Sequence, residues 1–292
     1  MPLSLKSLLH TLGATLAVIG IIFISIRLYS YWSELDFYRI TLLDWLLIVA
    51  LAIIYCIINV FLAFSWWHIL CHLRGGGNRI LSVKIYGMSQ LAKYVPGNIF
   101  HLAGRQVLGM ASGIKASTLA KSTVLELIFI AGAGAIFGFL VLPILFLNFS
   151  EVDGIFIFFT LFILVLIALW QSQGKHLVYS FCYHVSFLTV SGAVFFALLS
   201  MNDMNEQSIS FHQAPIIIGA YVISWLGGLV TPGSPAGVGV RELILLFLLK
   251  NYIIETDLLM AIILARLVTV IGDLFFFVVT LLIPNKSGRS EI

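Results

Sequence analysis

Six runs of predominantly apolar residues, at 8–30, 42–66, 117–146, 152–171, 177–200 and 257–283, constrain this chain more than any other feature. Each is near or above the ~20 residues that a helix needs to cross a ~30 Å hydrocarbon core. Water does not reach backbone N–H and C=O groups there, so the segments are expected to close their hydrogen bonds as helices. With 61% apolar and 10% charged residues, the chain is excluded from the soluble class. The first run is too long for a secretory signal. It is followed by Arg27-Leu28-Tyr29-Ser30-Tyr31-Trp32 rather than a small-residue cleavage site, so it is expected to stay in the mature protein.

Between the spans, a motif occurs twice. Pro96-Gly97-Asn98-Ile99-Phe100-His101-Leu102-Ala103-Gly104-Arg105 and Pro232-Gly233-Ser234-Pro235-Ala236-Gly237-Val238-Gly239-Val240-Arg241 each lead from a Pro-Gly pair to an arginine. Broken backbone at membrane depth is tolerated where protein buries it or a wet cavity receives it, and paired broken segments point to a transport site. The stretches 80–112 and 213–252 therefore read as re-entrant half-helix pairs. Pro96, Gly97, Gly104, Pro232, Gly233, Gly237 and Gly239 are the candidate hinges.

Each half then runs span, span, broken pair, span. Lys121–Leu127 aligns with Ala261–Leu267, which sets Glu126 opposite Arg266. Three crossings per half is an odd number, so the second half is expected to be inverted. The expected architecture is an all-α polytopic membrane protein and a single domain over 1–292. Repeat 1 covers about 1–148, repeat 2 about 149–285, and a short tail 286–292.

Charge asymmetry supports cytoplasmic termini. Lys6, Arg74, Arg79, Lys84, Lys93, Lys115, Lys121, Lys175, Lys286 and Arg289 fall on one side. Glu34, Asp36, Glu151, Asp153, Asp203, Glu206, Glu255 and Asp257 fall on the other, with Arg39 and Lys250 as exceptions. Trp45, Trp66, Trp67 and Trp170 lie near span ends, as an aromatic belt requires.

Arg105 and Arg241 are the leading candidate substrate ligands, because a guanidinium offers a planar fork of donors to phosphate or carboxylate. Half-helix N-termini would add positive potential. Asn98, His101, Ser234 and Thr231 could hydrogen-bond a head group, and Glu242 stands beside Arg241. The plainer alternative is that each arginine caps its own broken helix or pairs with Glu242.

Glu126 and Arg266 each lie about nine residues into a span, roughly 13 Å deep, where a charge needs a partner. The spacing permits a Glu126–Arg266 pair near a pseudo-two-fold axis, serving the fold or acting as a gate. Asp273 is a second possible partner, on the same helical face as Arg266.

Other features have plainer readings. His68 and His72, with Cys71, have metal-ligand spacing but no third ligand, so no metal or cofactor is expected. Cys56, Cys71 and Cys182 suggest no disulfide framework. Gly75-Gly76-Gly77 lacks the context of a phosphate-binding loop and reads as a turn. Gly134 and Gly138 form a small-residue helix-packing face. The basic stretch from Arg74 to Lys93 would attract anionic lipid at the surface.

The stretch Lys93-Tyr94-Val95-Pro96-Gly97 through Gly104-Arg105, and Pro232-Gly233 through Gly237-Val238-Gly239-Val240-Arg241-Glu242, resemble the flippase-like transmembrane domain of lysylphosphatidylglycerol synthases and related stand-alone membrane proteins. The resemblance covers nearly the whole chain, and Gly-Val-Arg-Glu is its most specific part. It implies a translocase for a lipid with a polar head group, with Arg105, Arg241 and Glu242 in the cavity and Glu126 and Arg266 in its walls. The sequence ends at Ile292, so a stand-alone member without the aminoacyl-transferase domain is expected. Pro235 departs from the usual shorter glycine run and could alter which head group fits.

The leading expectation is thus a non-enzymatic flippase in the cytoplasmic membrane. Its partner would be a membrane lipid, either a phospholipid or a polyprenyl-phosphate-linked sugar, and not nucleic acid. The alternatives are an intramembrane transferase and an accessory subunit of a lipid-modifying synthase or glycosyltransferase.

Overall fold

The structure is a computed structural model and describes residues 22, 26, 29, 41–95, 99–146, 148–201, 210–231, 237 and 239–284. The expected first span, the Pro96-Gly97-Asn98 and Pro232-Gly233-Ser234 turns, and the 286–292 tail lie outside these residues, apart from Ile22, Ile26 and Tyr29. Among the described residues the secondary structure is helical. The α-helices are α1 Leu42–His72, α2 Arg79–Gln90, α3 Phe100–Ala111, α4 Ala116–Phe137, α5 Glu151–Gln173, α6 Lys175–Met201, α7 Ala214–Val230, α8 Val240–Leu249 and α9 Glu255–Leu281. Short 3-10 turns at Leu91–Tyr94, Gly138–Val141 and Phe211–Gln213 adjoin α2, α4 and α7. A last turn at Leu142–Leu145 extends α4.

Six segments are long and apolar enough to cross a membrane: Leu42–His72, Ala116–Leu145, Glu151–Gln173, Lys175–Met201, Phe211–Val230 and Glu255–Leu281. Five match expected spans. The sixth corrects an expectation, because the first arm of the second broken pair is a 20-residue helical segment rather than a half-helix. Pro215 sits in the first turn of α7, where a missing N–H breaks no bond, and no other proline follows before Pro232. The second arm, α8, is only 10 residues long.

Two of the long helices start on matched devices. Thr41 and Asp44 form a reciprocal capping box on α1, and Ser150 and Asp153 form another on α5. Each box satisfies first-turn N–H groups that have no partner within the helix.

Helix α9 is the centre of the bundle: 67% of its most apolar window is buried, against 11% for α5. The rim helix α5 turns Val152, Phe156 and Phe159 outward. Such a surface suits hydrocarbon and not water. Helix α1 packs along α6 and α9, α2 packs against α9, and α4 and α8 both pack on α7.

Small residues set these approaches. Leu226 and Ile223 of α7 lie on Gly134 of α4 and on Gly138 at the start of the 3-10 turn that follows it, so this pair acts as a packing face. Polar glue joins α1 to α6, where Ser65 Oγ lies 2.7 Å from Ser180 Oγ and 2.9 Å from His184 Nδ1, all three residues being buried. Trp66 is core and not belt: it is fully buried and its Nε1 donates to Ser122 Oγ at 3.0 Å.

The α1–α9 contact is close because Gly272 has no Cβ. One added there would stand 2.8 Å from the Ala52 carbonyl oxygen and 2.9 Å from the Tyr55 ring. Gly272→Val should therefore cost about 1–3 kcal/mol through overpacking. Thermal melting of purified protein should fall by several degrees, whereas Gly132→Ala, with nothing within 4 Å, should not lower it.

Candidate functional site

The elements around α9 enclose a cavity of about 1020 Å³, counting the space at its mouth. Four cations line it: Lys93, Arg105, Arg241 and Arg266. Three of them have a carboxylate partner on a neighbouring helix.

Lys93 comes from the 3-10 turn after α2, where residues three apart eclipse. It therefore shares a side with Gln90, and both reach Asp273 of α9. Lys93 Nζ lies 2.6 Å from Asp273 Oδ2, and Tyr94 OH donates to the same oxygen at 2.5 Å. Gln90 Nε2 donates to Oδ1 at 3.3 Å and Asn59 Nδ2 at 3.2 Å. The Asp273 side chain is fully buried, and these donors are what make a carboxylate tolerable there.

Arg105 of α3 is 2% exposed and ion-paired with Glu126 of α4. Tyr86 OH donates to the other Glu126 oxygen at 2.9 Å, and its ring centroid lies 3.9 Å from the Arg105 guanidinium carbon. The cation is thus held by charge and by a π face. Its Nε is buried without a hydrogen-bond partner among the described residues.

Arg266 of α9 meets Glu242 of α8. Its Nε and Nη2 donate to Glu242 Oε1 at 2.9 and 2.7 Å, and Nη2 donates to the Gly237 carbonyl at 3.3 Å. Glu242 Oε2 accepts from Gly239 N–H at 2.6 Å, which ties the start of α8 to α9.

Arg241 is different. It is half-buried, its guanidinium carbon lies 5.4 Å from the Tyr221 ring centroid, and among the described residues it has no ion-pair or hydrogen-bond partner. Its stem crosses two glycines: a Cβ on Gly228 would meet Arg241 Cγ at 2.6 Å, and one on Gly237 would meet Cδ at 3.0 Å. Gly237 and Gly239 have φ of 72° and 89°, a region in which side chains are strained.

The expected Glu126–Arg266 pair is therefore corrected. Their depths were readable from chain position, but partner choice depends on which way each helix face turns. Glu126 faces α3, and Arg266 faces α8. Asp273 likewise pairs with Lys93 rather than Arg266. Glu242 braces Arg266 and lines a smaller adjoining pocket rather than the main cavity. Gly104 is buried inside continuous α3 and forms no break, since its neighbours supply an unbroken helical run.

His101 lines the cavity, and its Nδ1 is buried without a hydrogen-bond partner among the described residues. Asn98 and Ser234 lie outside the described residues, as do Pro96, Gly97, Pro232 and Gly233. Thr231 donates to the Gly227 carbonyl at 2.7 Å. His68 approaches His176 across α6, Nδ1 to Nδ1 at 3.1 Å, rather than His72. No group of three metal-ligating side chains occurs among the described residues.

Sequence reasoning missed Lys93 as a site residue, counting it among cytoplasmic loop charges. Its place three residues before Pro96 was the available signal. Tyr55, Tyr86, Tyr94, Phe187 and Trp225 complete the walls. Tyr55 and Phe187 sat within apolar runs with nothing to set them apart, whereas Tyr86, Tyr94 and Trp225 lay in the two broken-pair stretches, which was the signal available for them.

Fold and site together define an all-helical, multi-pass membrane protein with a cation-lined interior cavity. No family model, curated protein or solved structure matches the chain.

Removing one member of a buried ion pair leaves a charge stranded, at a cost of about 3–5 kcal/mol. Arg105→Met should lower the melting temperature of the purified protein markedly. Arg105→Met combined with Glu126→Gln, which keeps an acceptor for Tyr86 OH, should recover most of the loss.

Proposed function

We propose that the chain is a membrane lipid translocase that moves a lipid with an anionic or polar head group across the cytoplasmic membrane. The observation that carries this reading is Arg241: a cation without an ionic partner among the described residues, lining a cavity where three other cations are each neutralised. A charge in a low-dielectric interior is costly unless a counter-charge reaches it, and intramembrane ionisable groups of this kind mark substrate paths. A phosphate held on the guanidinium fork would supply that counter-charge. The acyl or prenyl chains would stay in the hydrocarbon.

The reading includes two inverted repeats with both termini cytoplasmic. Supporting it, each motif helix is tied to the next long helix by one ion pair, Arg105 to Glu126 and Glu242 to Arg266. The charges are exchanged between the two halves. Rocking of one repeat against the other would expose the cavity to each face in turn. The resemblance of the two Pro-Gly motifs to the lysylphosphatidylglycerol synthase flippase-like domain points the same way.

The test is head-group translocation in proteoliposomes over labelled phospholipids and polyprenyl-phosphate sugars. Arg241→Gln should slow transport about tenfold or more, the worth of one charge-assisted hydrogen bond, while leaving the melting temperature unchanged. Equal transport by variant and wild type would take Arg241 out of the substrate path, and no lipid movement by folded wild type would count against a translocase and favour an accessory membrane subunit.

A further inference from the structure

The charges around the cavity restrict what it can hold, and the inference rests on reading that cavity as a lipid site. Among the described residues, Lys93, Arg105 and Arg266 are matched one to one by Asp273, Glu126 and Glu242, which leaves Arg241 over. We propose that the cavity seats one monoanionic phosphodiester bearing an uncharged polyol head, with Arg241 as the ionic contact to the phosphate.

Two other head-group classes fit worse. A pyrophosphate brings further negative charge, which the site could meet only by drawing Lys93, Arg105 or Arg266 off its carboxylate. That would strand Asp273, Glu126 or Glu242 in the interior. A zwitterionic head brings an ammonium, for which the only carboxylate lining the cavity among the described residues is Glu126. Both Glu126 oxygens are already engaged, by Arg105 and by Tyr86 OH.

The polyol has matching groups. His101 lines the cavity, and a hydroxyl that reached its buried Nδ1, which has no hydrogen-bond partner among the described residues, would give it one. Tyr55, Tyr94 and Trp225 line it with amphipathic aromatic side chains of the kind that suits a sugar or glycerol.

Arg241 is aimed by backbone that approaches too closely for a side chain at Gly228. A Cβ there would meet Arg241 Cγ at 2.6 Å, Cδ at 2.9 Å and the Gly237 Cα at 3.0 Å. Gly228 is thus a positioning residue for the guanidinium.

Two lipid sources share this chemistry: a glycerophospholipid such as phosphatidylglycerol, and a polyprenyl phosphate carrying a neutral hexose. Native mass spectrometry of the purified full-length chain, titrated with each of these and with phosphatidylcholine and polyprenyl pyrophosphate, separates them. At least one monoanionic phosphodiester should bind about tenfold or more tightly than both competitors, and the one that does identifies the source. Arg241→Gln should erase the preference, Arg241→Lys should keep part of it, and Gly228→Ala should weaken it with Arg241 intact.

Equal or tighter binding of the zwitterion or the pyrophosphate by wild type overturns the proposal without need of any variant. So does a preference that survives in folded Arg241→Gln. Selective binding without translocation would remove the transport reading and leave the charge selectivity standing.

Discussion

An ion in a low-dielectric interior requires a counter-ion, and that requirement shapes the centre of this molecule. Asp273 carries the most demanding case. Its fully buried carboxylate receives donors from Asn59, Gln90, Lys93 and Tyr94, so α1, α2 and the turn that follows α2 are all fixed against α9. The Arg105–Glu126 pair fixes α3 to α4, and the Glu242–Arg266 pair fixes α8 to α9. Each short helix beside a Pro-Gly break, too short to span alone, is held in place by charge as well as by packing. Breaking one pair strands a charge, which is why the pairs are integral to the fold as much as to the site.

Against this background Arg241 stands apart. It is held by a ring face and by two glycines that admit its stem, and among the described residues its guanidinium is left with donors to spare. A pre-aimed cation with no counter-ion among the described residues suits a ligand that arrives already carrying one negative charge.

The long helices were legible because twenty apolar residues have few ways to exist in a membrane. Helix α7 was under-read because the Pro232-Gly233 break suggested a symmetric split, whereas Ala214–Val230 contains nothing that ends a helix before Thr231. Charged residues were legible by type and depth. Their partners were not, because a one-dimensional alignment fixes height along a helix and leaves its rotation open. Glu126 and Arg266 share a depth yet turn to different neighbours. Lys93 was hidden by the positive-inside pattern and Trp66 by the aromatic-belt pattern, two statistical rules that describe surfaces and say nothing of residues that fold inward.

The central claim is that a lipid phosphate rests on Arg241. Solid-state NMR distance measurement between lipid ³¹P and arginine guanidinium ¹⁵N, on protein in a phosphatidylglycerol bilayer, tests it most directly. The account predicts a close phosphorus–nitrogen contact in wild type that vanishes in Arg241→Gln. A contact that persists in that variant would place the phosphate on another arginine. Its absence from wild type would contradict the claim outright.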